Sequence, residues 1–135
     1  MKLSNYVYGQ WIEGASTGVE LKNPVSGEIL SYASSDGVDL KRALAFSREV
    51  GGVNLRKLSY VQRANLLNNI ADVLLENRDK YYQIAEVNSG NTRTDARIDI
   101  DGGVGTLKYF AACGQKLGDE NYLTESGKDL SLIHI

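Results

Sequence analysis

The chain has one cysteine, one histidine and one proline in 135 residues. A single cysteine, Cys113, builds neither a disulfide framework nor a cysteine metal cluster. The histidine, His134, is the second-last residue, which all but excludes histidine-based acid–base or metal chemistry. Excess charge of either sign is also missing. Lysine and arginine number 15 against 17 aspartates and glutamates, a net charge of −2. That balance offers no basic footprint for nucleic acid or for an anionic membrane. No apolar run approaches the roughly 18 residues of a membrane helix. The start, MKLSNYVYGQW, has one lysine and no apolar core segment, so it does not read as a secretory signal. A reducing cytoplasm is the expected compartment.

What is present is an ordinary globular composition, 42% hydrophobic, sized for one small domain. Residues 5–13, NYVYGQWIE, are rich in tyrosine, valine and tryptophan and predict a strand. Residues 14–18 are turn-forming, and residues 19–22 predict a returning strand that makes a hairpin with the first. After the Asn23-Pro24-Val25-Ser26-Gly27-Glu28 turn, residues 29–33 predict a third strand.

Four helices follow. The first is expected over 37–50, with Asp36 as its cap, Leu40, Ala43, Leu44 and Ser47 on one face, and Gly51-Gly52 as its stop. Ser59-x-x-Gln62 is a capping box that opens a second helix, 60–76. Its apolar stripe is Ala64, Leu67, Ala71 and Leu74, widened by Ile70 and Val73. A third helix, 79–88, is expected to bury Tyr82, Ala85 and Ile84 and ends at Ser89-Gly90-Asn91. Thr92 or Thr94 caps the fourth, which reaches Leu117. The fold class is therefore α+β, with strands over 5–33 and helices over 37–117. Three short strands offer these helices no parallel sheet to cover, so their apolar faces are expected to need a partner.

The fourth helix holds the least usual chemistry. Gly102, Gly103 and Gly105 each cost about 1 kcal/mol in a helix interior, so they need a reason. Either another element packs closely there or something large passes the backbone. Gly103-Val104-Gly105 opens like a dinucleotide fingerprint, but Lys108 stands at the final glycine position and no clear hydrophobic strand precedes it. Asp99 and Asp101 are two apart and do not share a helix face. Asp95 and Asp99 do share one, beside Arg93 and Arg97, and read as a solvated ion-pair face. Cys113, with no histidine nearby, reads as a buried structural thiol. Tyr81, Tyr82, Tyr109 and Phe110 are expected in the core. Residues 130–135, LSLIHI, end without a polar tail and are expected to be a non-native end on a truncated reading frame, with a short apolar strand as the alternative.

Several of these residues, in this order, resemble the start of an aldehyde dehydrogenase. They are Gly9-x-Trp11, the Asn23-Pro24 and Gly27-Glu28 turn, Gln62-Arg63-Ala64 opening a helix, and Leu107-Lys108-Tyr109-Phe110-Ala111. Arg93-x-Asp95 and Asp99-Ile100-Asp101-Gly102-Gly103-Val104-Gly105-Thr106-Leu107 are similar to the dehydrogenase part of the bifunctional phenylacetate-degradation proteins, in which a second domain opens an oxepin-CoA ring.

The resemblance implies that residues 1–129 are the N-terminal part of an α/β aldehyde dehydrogenase domain. The intact enzyme would be a cytoplasmic homo-oligomer that oxidises a CoA-linked semialdehyde with NADP or NAD. It also implies that no catalytic, cofactor-binding or metal residue lies in this stretch. The family's nucleophilic cysteine, general-base glutamate and oxyanion-hole asparagine lie further on, and Cys113 is not that cysteine. The fragment alone would be inactive and bind no cofactor. By the same resemblance Ile98, Gly102, Gly103 and Thr106 would line the entrance of the substrate tunnel. The alternatives are an aldehyde dehydrogenase for another small aldehyde, or a non-enzymatic helical interaction module.

Overall fold

A two-residue turn at Tyr8-Gly9 breaks the first extended stretch in two. The computed structural model describes residues 1–125 and 128–130. In it β1 (Ser4–Val7) pairs antiparallel with β2 (Gln10–Glu13), with Tyr6 opposite Trp11. Tyr8 and Gly9 both have positive φ, 53° and 80°. Positive φ at both central residues is the geometry that matches the twist of a tight hairpin. The expected single strand over 5–13 is thus itself a hairpin, and it does not pair with residues 19–22.

Those residues form β3 (Val19–Lys22), which pairs antiparallel with β4 (Ile29–Ala33). Their connection is closed by the Asn23 side chain, whose Oδ1 accepts from the backbone N–H groups of Val25 and Ser26, and by Gly27 at φ 76°. Residues 1–3 add a short parallel bridge on β4, with Leu3 N–H donating to the Tyr32 carbonyl and Tyr32 N–H to that of Met1. The chain between β2 and β3 runs against the backbone after β4. A Cβ at Gly14 would stand 2.3 Å from the Ser34 carbonyl oxygen, and one at Gly18 2.1 Å from that of Ala33.

The helical part begins with α1 (Leu40–Phe46), capped by the Asp39 side chain rather than by Asp36. Gly51-Gly52 does not stop it. The chain continues through a wide π turn, Ser47–Gly52, into α2 (Val53–Arg56). Gly52 keeps right-handed torsions, φ −64° and ψ −39°, instead of the left-handed ones of a glycine stop. The capping box forms as expected: Ser59 Oγ accepts from the Gln62 N–H and Gln62 Oε1 from the Ser59 N–H. It opens α3 (Tyr60–Glu76). Next come α4 (Arg78–Ser89), closed by Gly90 at φ 68°, and α5 (Arg93–Leu117). Thr92 caps α5, accepting from the Asp95 N–H and donating to the Asp95 carboxylate at 2.7 Å. A short antiparallel pair, β5 (Leu123–Glu125) and β6 (Lys128–Leu130), follows. Leu130 ends β6, and the rest of the expected non-native tail, 131–135, lies outside the described residues.

The chain divides into two compact units, one of residues 1–51 and 79–98, the other of residues 52–78 and 99–135. The first buries Tyr82 and Ala96. The second buries Ala64, Ala71, Val104 and Ala111, and α5 approaches α3 so closely that a Cβ at Gly114 would lie 3.1 Å from that of Ala64. Four of these six buried apolar residues are alanines, so little of the large apolar side-chain area is covered.

The faces predicted for the core are in part exposed. Leu40 and Leu44 on α1, Ile70 and Val73 on α3, and Ile84 on α4 face outward, while Leu67, Leu74 and Ala85 are half-buried. Of the expected core aromatics, Tyr82 is buried and Tyr81 half-buried, but Tyr109 and Phe110 are 65% and 58% exposed. The cause is register. At about 100° per residue Tyr109 falls opposite the stripe of Val104, Leu107, Ala111 and Gly114, and Phe110 lies at its flank.

Candidate functional site

Helix α5 positions the candidate residues. Ile98, Gly102, Gly103 and Thr106 lie on its outward side, all exposed, with Ile98 at 65%. Val104 between them points the other way and is buried. Among the described residues, apart from chain neighbours and the helix's own backbone, no atom lies within 4 Å of where a Cβ would stand on Gly102, Gly103 or Gly105. Close packing of another element among the described residues therefore does not account for these glycines. Thr106 donates its hydroxyl to the Gly102 carbonyl at 3.0 Å, in the back-bonded manner of a helical threonine. The resulting face is smooth and nearly free of side chains over one turn, with Tyr109 and Phe110 in edge-to-face contact, centroids 5.4 Å apart, beyond it.

Gly103-Val104-Gly105 lies deep within α5, ten residues past its start at Arg93. Backbone N–H groups there are taken up by the helix, so the run offers no cradle for a phosphate. The residues present do not fit a dinucleotide, and no step of cofactor chemistry is assigned to them. Asp99 and Asp101 each have a partner. Cys113 is half-buried rather than fully buried. Among the described residues no three His, Cys, Asp or Glu side chains converge to hold a metal ion, and no helix is long and apolar enough to cross a membrane.

The ion-pair face expected around Asp95 and Asp99 is arranged differently. Arg93 reaches to α4, where its two guanidinium nitrogens meet Asp79 at 3.0 Å and Glu86 at 3.1 Å. Its guanidinium lies 4.9 Å from the Tyr82 ring centroid. Asp95 is committed to the cap with Thr92 instead. Sequence reasoning missed this clamp, although Asp79, Tyr82 and Glu86 recur at the i, i+3, i+7 spacing of one helix face. The Lys22 ammonium, held above its ordinary pKa by a hydrogen bond and then the charge of Glu20, belongs to an exposed surface pair on β3 and carries no chemistry.

Against known proteins, residues 11–134 match the model of the aldehyde dehydrogenase family. The chain is 49% identical over 128 residues to 3,4-dehydroadipyl-CoA semialdehyde dehydrogenase of Aromatoleum evansii, covering 95% of this chain and 25% of that protein. It is 31% identical over 132 residues to malonate-semialdehyde dehydrogenase 2 of Bacillus mycoides, covering 93% of this chain and 27% of the relative. It is 27% identical over 110 residues to succinate-semialdehyde dehydrogenase [NADP(+)] 2 of Schizosaccharomyces pombe, covering 80% and 22%. The chain therefore belongs to the aldehyde dehydrogenase family, and it spans about a quarter of the length of these curated relatives.

Proposed function

We propose that this chain is the N-terminal part of an NAD(P)-dependent aldehyde dehydrogenase that oxidises a CoA-linked semialdehyde in phenylacetate degradation. The outward face of α5 then lines the entrance to its substrate tunnel. The observation that carries this reading is the open space around Gly102 and Gly103, on a helix whose other side is closed by Val104 and Ala111. Helix propensity disfavours glycine there, and no other element among the described residues packs against it, so room for a large substrate supplies the missing reason. The similarity to a CoA-semialdehyde dehydrogenase supports the same substrate class.

The intact enzyme would be cytoplasmic and homo-oligomeric, with NADP or NAD as the hydride acceptor. This part alone would be inactive, because it contains none of the family's catalytic groups. In the intact enzyme, Gly103→Leu should raise KM for the CoA-linked semialdehyde at least tenfold more than KM for a small free aldehyde. A leucine that raises both equally, or neither, would remove the tunnel role.

A second reading is an enzyme for a small free semialdehyde, favoured by the similarity to malonate- and succinate-semialdehyde dehydrogenases. The same two-substrate comparison separates it. An unmodified enzyme with higher kcat/KM for the free semialdehyde would favour this second reading.

A further inference from the structure

We draw no further inference here: the strongest candidate, the open apolar groove between α4 and β4 in the first unit, lined by Leu3, Leu30, Ile84 and Val87, carries nothing because nothing in the structure shows what covers it.

Discussion

The Tyr8 hydroxyl donates a hydrogen bond of 2.6 Å to the backbone carbonyl of Asp39, the residue whose side chain caps α1. Arg42 of that helix lies over the same ring, 4.6 Å from its centroid. A tyrosine in the left-handed region is strained by about 1–3 kcal/mol and persists only where its surroundings hold it. Here the start of α1 does so. Tyr8→Phe keeps the ring and loses the hydrogen bond, and should destabilise the intact enzyme by about 0.5–1 kcal/mol. Gly9→Ala, whose Cβ would meet only the Phe46 ring edge at 3.8 Å, should cost about 1 kcal/mol through torsion alone. Denaturant unfolding of both variants checks this, and a stabilised Gly9→Ala would contradict the turn geometry.

The register of α5 can be tested with three small substitutions. Gly102→Ala adds a methyl to open space and should stabilise by about 0.5–1 kcal/mol through helix propensity. Gly114→Ala pushes a methyl to 3.1 Å from Ala64 and 3.3 Å from the Tyr60 carbonyl, and should instead cost about 1 kcal/mol. Val104→Ala empties a buried position and should cost about 2 kcal/mol. A helix rotated by half a turn would reverse the order of the first and third values, measured as shifts in thermal midpoint.

Arg93 holds α5 to α4 through two carboxylates and a ring. The pairs are partly exposed, so each is worth little alone, about 0.2–1 kcal/mol. Arg93→Lys keeps the charge but cannot span Asp79 and Glu86 as a planar fork or stack on Tyr82 in the same way. A loss of about 1 kcal/mol is expected for Arg93→Lys and slightly more for Arg93→Met. A double-mutant cycle with Glu86→Gln should return a coupling near half a kcal/mol, and zero coupling would show that the contact contributes nothing.

The chain on its own should melt without a sharp transition and bind a hydrophobic dye. Among the described residues its buried apolar set is four alanines, one valine and one tyrosine, while Trp11, Val19, Leu40, Ile70, Val73, Tyr109 and Phe110 stay in water. Large contiguous apolar surface of that kind is characteristic of partner-seeking faces and of loosely packed states. A single cooperative calorimetric transition with equal calorimetric and van't Hoff enthalpies would refute this.

Much of the local structure was legible in the residues. Ser59-x-x-Gln62 specified the start of α3, Thr92 the start of α5, and Ser89-Gly90 the end of α4, because each signal acts within one turn of itself. The candidate face on α5 was legible too, since helical spacing alone sets Ile98, Gly102 and Thr106 on one side. Two features were not. Whether Tyr8-Gly9 turns or continues a strand depended on the anchor at Asp39, 31 residues away. Gly51-Gly52 lost its stopping role because glycine permits the right-handed conformation as well as the left.

The sequence by itself determined the start of α3, the start of α5, the end of α4 and the family, because these rest on short-range chemistry and on residue identity along the chain. Only the tertiary structure decided which apolar residues are covered, where Arg93 finds its acids, and that Gly102 and Gly103 face open space. Those outcomes depend on which element lies opposite, and a one-dimensional pattern supplies a helix face without naming what stands across from it.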